Sequence, residues 1–259
     1  MRNIALAFVA TSLFAATAAL AADMAAPYSA PPAPSCSSAR WDGFYAGING
    51  GGIVHRSTLN DNGNFPVAVL GASVGTQIDT TSSGIAGGQL GYNVQNCLTV
   101  WGIETDLDWT GLKTSYGANS FTAANDYTVG DRMRWFGSTR GRVGIAVENL
   151  LLFVTSGVAY ASINHSVAAN FIPFLAGLNP IGFNDTATQW GWIVGAGAEW
   201  SFSNNLSLRS EVLLAGFTDR THTMIFSPLG GPVQTDTLKS SDDVVMFRAG
   251  LDYRFGGGR

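Results

Sequence analysis

Hydrophobic and polar residues alternate with a period of two in eight segments of this chain. The clearest segment runs from Val100 to Thr110, where Trp101 and Leu107 belong to an apolar face and Glu104 and Asp108 to a polar one. Successive side chains of an extended strand point to opposite faces, so such alternation predicts a half-apolar β-strand. The eight predicted strands are Phe44–Val54, Gly84–Val94, Val100–Thr110, Arg134–Val147, Leu150–Asn164, Thr188–Phe202, Leu206–Asp219 and Val244–Phe255.

The connections between these segments alternate in length. Three are tight turns of Asn, Ser, Gln and Glu, namely Gln95-Asn96, Glu148-Asn149 and Ser203–Asn205. Four are long: His55–Ser83, Gly111–Met133, His165–Ala187 and Arg220–Asp243. Bacterial outer-membrane barrels have short periplasmic turns and longer extracellular loops. The chain is therefore predicted to be an all-β protein, an eight-stranded antiparallel up-and-down transmembrane β-barrel with four long extracellular loops, located in the outer membrane of a Gram-negative cell.

The positions of the tryptophans agree with this orientation. Four are predicted near the long loops (Trp109, Trp135, Trp190 and Trp192) and three near the short turns (Trp41, Trp101 and Trp200). Membrane proteins concentrate tryptophan at both membrane–water interfaces. A soluble β-sandwich would need no such sorting, so all seven are predicted to lie in two belts.

The N-terminal region has the composition of an export signal followed by a tether. Residues 1–22 combine Arg2, an apolar stretch and a small-residue end at Ala19–Ala21, which is typical of a secretory signal peptide. Residues 23–40 are rich in Pro, Ala and Ser and are predicted to be an extended periplasmic tether. Residues 41–259 remain for the barrel.

Composition and charge narrow the class of protein further. Charged residues make up 12% of the chain, about half of the share usual in soluble domains. No segment after the signal reaches the 18 or more apolar residues of a membrane helix, so the apolarity must lie on alternate residues. No basic run occurs, which argues against nucleic acid as a partner.

The polar faces of the predicted strands contain balanced charge. Six residues are acidic and six are arginines: Glu104, Asp106, Asp108, Glu199, Glu211 and Asp252 with Arg134, Arg140, Arg142, Arg209, Arg248 and Arg254. Side chains just fill the lumen of an eight-stranded barrel, and Arg pairs well with carboxylates. We therefore expect an internal salt-bridge network that largely closes the lumen. A charged pore lining for ions or small solutes is the alternative.

Catalytic and metal chemistry find little support in the sequence. The three histidines, His55, His165 and His222, lie far apart, without the spacing of a zinc site. The adjacent His165 and Ser166 would point to opposite faces of a strand. We expect no catalytic residues, no metal and no cofactor, and a lipid-modifying enzyme is a distant third interpretation.

The two cysteines, Cys36 and Cys97, are both predicted at the periplasmic rim. In an oxidising compartment such a pair indicates a disulfide bond. A lipid anchor on Cys36 is the rival interpretation, although the signal sequence ends well before it.

Several motifs resemble those of the alphaproteobacterial outer-membrane β-barrel proteins, the RopB-type major surface antigens often grouped as a "porin family" with OmpA-like eight-stranded barrels. These motifs are Trp41–Gly47, Gly88–Asn93 and Trp135–Gly144. Arg248, Gly250, Tyr253 and Phe255 resemble the C-terminal assembly signal of such barrels, although four residues, Gly256–Arg259, follow it here.

The resemblance implies a structural and surface-antigen role in the cell envelope. It further implies recognition of the last strand by the barrel assembly machinery. We expect outer-membrane lipids and lipopolysaccharide as the surroundings, and a monomeric barrel.

Overall fold

The computed structural model describes residues 41–61, 76–118, 127–169, 182–226 and 234–255. The predicted signal peptide, the tether, Cys36 and the tail after Phe255 lie outside the described residues. Within the described ranges no helix is long and apolar enough to cross a membrane.

Ten strands in the described part of the chain form one antiparallel sheet. They are β1 (Gly43–Asp61), β2 (Thr76–Asn96), β3 (Thr99–Thr110), β4 (Lys113–Ala118), β5 (Tyr127–Val147), β6 (Leu150–Ala169), β7 (Gly182–Ser201), β8 (Leu206–Phe217), β9 (Arg220–Phe226) and β10 (Gln234–Phe255). β4 continues β3 along β5, and β9 continues β8 along β10. Eight barrel strands result, and the pairing of β1 with β10 closes the sheet. The predicted eight-stranded antiparallel barrel is confirmed.

The closed sheet is strongly staggered. A row of ladder partners that starts at Trp109 and passes once around the barrel returns to β3 at Thr99, ten residues lower. This stagger tilts every strand relative to the barrel axis. An eight-stranded barrel of this kind has an interior that side chains just fill.

The strands extend well into the segments predicted as long loops. β1 continues to Asp61, β5 begins at Tyr127 and β6 ends at Ala169, so the predicted loops are in large part paired hairpins. The alternation of apolar and polar residues fades there, because a strand that has left the membrane no longer needs an apolar outer face. The pattern therefore finds only the membrane-level part of each strand.

The short turns lie close to where the sequence predicts them. Glu148-Asn149 joins β5 to β6, whereas the turn between β2 and β3 is Cys97-Leu98 and not Gln95-Asn96. Cys97 and Glu148 both have a positive φ, of 53° and 51°. Two-residue hairpin turns of types I′ and II′ both place a positive φ at the first central residue, so the backbone of each turn matches its two-residue length.

Aromatic side chains cover the outer surface of the barrel in two belts. The upper belt, on the side of the long hairpins, includes Trp109, Trp135, Tyr160 and Trp190. The rings of Trp135, Tyr160 and Trp190 form a row, with centroids 6.2 Å (Trp135–Tyr160) and 5.5 Å (Tyr160–Trp190) apart. Exposed aromatic residues of the lower belt, on the side of the short turns, are Phe44, Tyr92, Trp101, Trp200, Phe202, Tyr253 and Phe255. The belts are separated by exposed aliphatic residues, as in a membrane-facing surface.

Trp41 does not belong to the lower belt, and this part of the sequence prediction is wrong. Its side chain is fully buried, and the guanidinium carbon of Arg254 lies 4.4 Å from the centre of its ring. Trp41 precedes the first strand by two residues, so strand alternation does not constrain its direction. It fills the lower end of the lumen and does not reach lipid.

Candidate functional site

The lumen is packed in layers, and the inward residues of single strands show their order. Along β10 they change from apolar, at Val244 and Met246, to charged, at Arg248 and Asp252. Along β8 the change runs the other way, from Arg209 and Glu211 to Leu213, Ala215 and Phe217. A charged layer therefore lies below an upper apolar layer.

Two buried apolar clusters bound the charged layer. The lower cluster consists of Trp41, Val100, Ala146, Leu151 and Phe153, near the short turns. The upper cluster consists of Ile53, Ile85, Leu112, Met133, Phe136, Ala159, Ala161, Ile163, Ile193, Leu213, Ala215, Phe217, Val244 and Met246. The charges are thus enclosed between apolar side chains at both ends.

Eleven of the twelve charged residues predicted for the lumen are buried inside the barrel, each with at most 4% of its surface exposed. They are Glu104, Asp106, Asp108, Arg140, Arg142, Glu199, Arg209, Glu211, Arg248, Asp252 and Arg254. Six carboxylates face five arginines in this set. Buried charges are tolerated when they are paired and hydrogen-bonded, and the contacts described next provide this pairing.

Arg140 lies at the centre of the network. Its Nη2 atom donates to Glu104 Oε1 at 2.6 Å and to Asp106 Oδ2 at 2.7 Å. Its Nη1 atom donates to Glu211 Oε2 at 3.1 Å and to the Thr155 hydroxyl at 3.4 Å. A single guanidinium therefore connects carboxylates from two separate barrel strands.

Arg248 makes a second connection in the upper half of the network. Its Nη2 atom donates to Glu211 Oε1 at 2.7 Å and to Asp106 Oδ2 at 2.9 Å, and its Nη1 atom donates to Asp108. Arg140 and Arg248 share Asp106 and Glu211. The four side chains consequently form one connected unit, with no carboxylate that depends on a single partner.

Arg142 and Arg209 form the lower half with three acids. Arg142 Nη2 donates to Glu199 Oε2 at 2.9 Å, Arg209 Nη1 donates to Glu104, and Arg209 Nε lies 2.9 Å from Asp252 Oδ2. The guanidinium of Arg142 also stacks over the ring of Phe153, with 4.3 Å from Cζ to the ring centre. Cation–π contact of this kind couples the charged layer to the lower apolar cluster.

Arg254 is held differently from the other four arginines. It stacks on Trp41 and donates to the Ser201 hydroxyl at 2.5 Å and to the Asn204 carbonyl at 3.4 Å. Within the described ranges no carboxylate forms an ion pair with it. Arg254 therefore fixes the lower closure to the turn between β7 and β8.

Uncharged polar residues that sequence reasoning did not assign to the network complete it. The Tyr45 hydroxyl donates to Glu104 Oε2 at 2.5 Å and accepts from Arg142 Nη1 at 3.1 Å. Gln89 donates to Asp252 at 2.7 Å, and Ser207 donates to Glu199 at 2.5 Å. The alternation does place Tyr45 and Gln89 on the polar faces of their strands. A search of those faces for uncharged hydrogen-bonding groups could therefore have found them.

Gly91 leaves the space that Tyr45 occupies. A Cβ atom at position 91 would lie 2.3 Å from the hydroxyl and the adjacent ring carbon of Tyr45. Such a distance is far inside van der Waals contact. The glycine on β2 is thus the counterpart of the large tyrosine on β1, as expected in an interior that is packed without voids.

Arg134 is the one predicted lumen residue that the structure places elsewhere. Its side chain is exposed, because β5 has a register shift between Met133 and Trp135 relative to β6. The bulge inserts one extra residue and reverses the inward and outward alternation above it. Met133 is consequently buried in the upper cluster, and Arg134 points away from the lumen.

A separate pair lies in the outer mouth of the barrel. His55 Nε2 is 2.9 Å from Asp242 Oδ1, and both residues are 2% exposed. The sequence predicts a loop at His55, whereas it is a strand residue directed inward. In the part of the chain that the structure describes, no group of three or more His, Cys, Asp or Glu residues is arranged to hold a metal ion.

The described residues include one of the two predicted disulfide cysteines and the whole predicted assembly signal. Cys97 is disulfide-bonded, and its predicted partner Cys36 lies outside the described residues, so the pairing stays a prediction. Of the predicted assembly signal, Arg248 belongs to the lumen, whereas Tyr253 and Phe255 are exposed on the outer face, with ring centroids 5.1 Å apart. The role of these residues and of Gly250 in assembly also stays a prediction.

A closed antiparallel barrel with two aromatic belts and a polar, packed interior defines the class of transmembrane β-barrels. Residues 7–255 match the family described as "Outer membrane protein beta-barrel domain". The chain belongs to this family, and it is an outer-membrane protein.

Curated relatives agree with this assignment. The chain is 32% identical over 263 residues to the "31 kDa outer-membrane immunogenic protein" of Brucella melitensis biotype 1, which covers 98% of this chain and 100% of the relative. It is 28% identical to the "22 kDa outer membrane protein" of Rhizobium leguminosarum bv. viciae, over 74% of this chain and 72% of the relative. The predicted resemblance to alphaproteobacterial barrels is confirmed.

Among solved structures, the outer membrane protein OprG from Pseudomonas aeruginosa has a similar fold. Its TM-score is 0.52 at 13% identity, with 83% of this chain and 97% of that chain covered. At this identity the similarity concerns the fold alone.

Proposed function

We propose that this protein is a closed structural barrel and surface antigen of the outer membrane. It does not conduct solutes and it carries out no chemical reaction. The observation that carries the proposal is the enclosure of the charged network between two apolar layers. A water-filled channel needs a continuous polar path, and the upper layer of residues such as Ile53, Phe136, Leu213 and Met246 interrupts one.

The burial of the arginines supports the same proposal. The side chains of Arg140, Arg142 and Arg248 are at most 1% exposed. Arg140 and Arg248 each bind at least two buried carboxylates. Arg142 binds the Glu199 carboxylate and the Tyr45 hydroxyl. Arginines that line a conducting pore contact water and passing ions. Here the same groups cross-link the barrel strands.

The surface role follows from the hairpins beyond the upper aromatic belt. β1 and β2, β5 and β6, and β6 and β7 remain paired far past the level of Trp109 and Trp190. The Brucella melitensis relative is named as immunogenic. We infer that these hairpins are the part of the chain that antibodies and other external molecules contact.

A pore is the alternative, since the lumen does contain charged side chains. A lipid-modifying enzyme would require a nucleophile beside a base. His165 and Ser166 are consecutive residues of β6, and the Ser166 hydroxyl donates to the Gly130 carbonyl at 3.0 Å.

Solute uptake by liposomes tests the proposal. Vesicles that contain the refolded barrel should swell in isotonic arabinose or potassium chloride no faster than vesicles without protein. A general porin at equal protein content serves as the positive control. Swelling that scales with the amount of folded barrel would establish the pore instead.

Protease treatment of intact cells tests the orientation separately. Cleavage should occur within the hairpins between residues 111 and 133 or between residues 220 and 243. The predicted tether at residues 23–40 should be protected. The opposite result would reverse the orientation.

A further inference from the structure

The basic residues outside the lumen share one level of the barrel. Of the eleven Lys and Arg residues that the structure describes, five belong to the lumen network. The other six lie just beyond the upper aromatic belt: Arg56, Lys113, Arg132, Arg134, Arg220 and Lys239. Lys113 follows Trp109 by four residues, and Arg134 directly precedes Trp135. In the proposed orientation this level contacts the headgroups of the outer leaflet.

Three of these six residues lie beside an acidic residue or a hydrogen-bond acceptor of the protein. Lys239 Nζ is 2.7 Å from Asp219 Oδ2, and its hydrogen bond lowers the pKa of the Asp219 carboxyl. Arg56 lies opposite Asp243 in the β1–β10 ladder. Arg220 donates to the Thr188 carbonyl at 3.4 Å. Groups of the protein therefore engage Lys239 and Arg220, and the acidic residue Asp243 lies on the strand opposite Arg56.

The remaining three, Lys113, Arg132 and Arg134, form what we call the basic cluster. Lys113 and Arg132 are direct ladder partners between β4 and β5, and Arg134 is exposed at the bulge two residues further along β5. None of them has an ion pair with another residue in the described ranges. Like charges directly opposite each other destabilise a sheet, so an external anion between Lys113 and Arg132 would stabilise this arrangement.

A groove lies on the outer surface immediately below the basic cluster. It has a volume of about 460 Å³, and its lining includes Leu90, Leu107, Trp109, Trp135 and Tyr160. Trp109 and Trp135 are ladder partners on the strands that lead up to the basic cluster. The groove is mainly apolar and opens towards the hydrocarbon region of the membrane. An acyl chain of a lipid therefore fits its position and its lining.

We propose that the basic cluster and this groove together bind a phosphorylated lipid of the outer leaflet. One acyl chain occupies the groove, and the phosphate contacts Lys113, Arg132 and Arg134. Arginine donates forked hydrogen bonds to phosphate, and lysine contributes a further point charge. The inference rests on the outward orientation in the proposed function and deepens the expectation of lipopolysaccharide as a neighbour.

Two triple variants that each remove three cations distinguish a specific lipid site from nonspecific electrostatic attraction between the barrel and an anionic lipid. The test variant is Lys113→Gln, Arg132→Gln, Arg134→Gln. The matched control is Arg56→Gln, Arg220→Gln, Lys239→Gln, which removes three cations from the same level. Because the residues of the test variant are exposed, it should fold, which the mobility shift between unheated and heated samples on a gel will verify.

The probe is diphosphoryl lipid A, titrated into the barrel in a zwitterionic detergent and followed by native mass spectrometry. We expect the test variant to lose at least tenfold in affinity and the control to stay within twofold of the wild type. Lipid A without phosphates should bind the three proteins equally. An equal loss in both triples, or no loss in either, would overturn the inference.

The groove can be tested with one substitution on each side of the barrel. Leu107→Trp fills the groove, whereas Leu214→Trp alters an equally exposed leucine on β8. Only Leu107→Trp should weaken the binding of diphosphoryl lipid A, and equal behaviour of the two variants would refute the acyl-chain site. These measurements use detergent-solubilised protein, so they depend neither on orientation nor on conductance and can fail independently of the proposed function.

Discussion

The interior network and the exterior basic cluster use the same cationic side chains in opposite surroundings. Inside, Arg140 is buried and binds three carboxylates. Outside, Arg134 is only six residues away on the same strand, yet it is exposed and has no ion pair in the described ranges. The desolvation of a buried charge makes its partners indispensable, whereas an exposed charge is stabilised by water and is free to contact molecules beyond the chain. One strand thus carries arginines for folding and for recognition.

The largest effect should come from the removal of an interior cation. Arg140→Ala leaves Glu104, Asp106 and Glu211 short of a partner inside the barrel, and breaking a buried pair in this way costs about 3–5 kcal/mol. Urea titration in lipid vesicles should show this loss. Arg140→Ala combined with Glu104→Gln should be less destabilised than the sum of the single variants, because coupled residues are not additive. A fully additive pair would contradict a connected network.

An intermediate effect is expected where interior space is filled. Gly91→Ala places a Cβ atom against the Tyr45 ring, and overpacking of this kind typically costs about 1–3 kcal/mol. Gly52→Ala is the matched control, since a Cβ atom there meets no atom within 4 Å. Urea midpoints of the two variants should differ clearly. Equal midpoints would mean that the lumen around Tyr45 is loosely packed.

The smallest effect should follow from Arg134→Ala. An exposed arginine without an ion pair should change the unfolding free energy by less than about 0.5 kcal/mol. A comparison with Arg140→Ala under the same urea conditions shows that the burial of the arginine causes the difference in unfolding free energy. A destabilisation as large as that of Arg140→Ala would place Arg134 back in the lumen and contradict the bulge.

The membrane-level strands could be predicted from the sequence because every one of them separates lipid from a polar interior. That contrast gave β3 and β7 their correct inward and outward faces over the whole membrane span. It was lost beyond the upper belt, where both faces are polar, and there the paired hairpins were predicted as loops. It also failed at Arg134, since a single-residue bulge reverses the alternation without any signal in the composition.

The charged residues of the candidate site could be predicted from the sequence. The apolar residues that close the lumen above and below them were not predicted. The inward positions of Glu104, Arg140 and Arg248 follow directly from strand periodicity. The upper apolar layer was missed, although Ile85, Leu213 and Met246 stand at inward positions near the ends of their strands. Trp41 was missed because it lies before the first strand, where no periodicity applies. Only the three-dimensional closure of the barrel shows that these residues meet above and below the charges.

Single-barrel conductance in planar lipid bilayers tests the closed lumen most directly. Wild-type protein whose folding and insertion have been verified should give no discrete current steps at either polarity of the applied voltage. Stable steps in the wild type, with an ion selectivity that changes in Arg140→Gln while the stability in urea does not, would contradict the closed lumen and establish a pore.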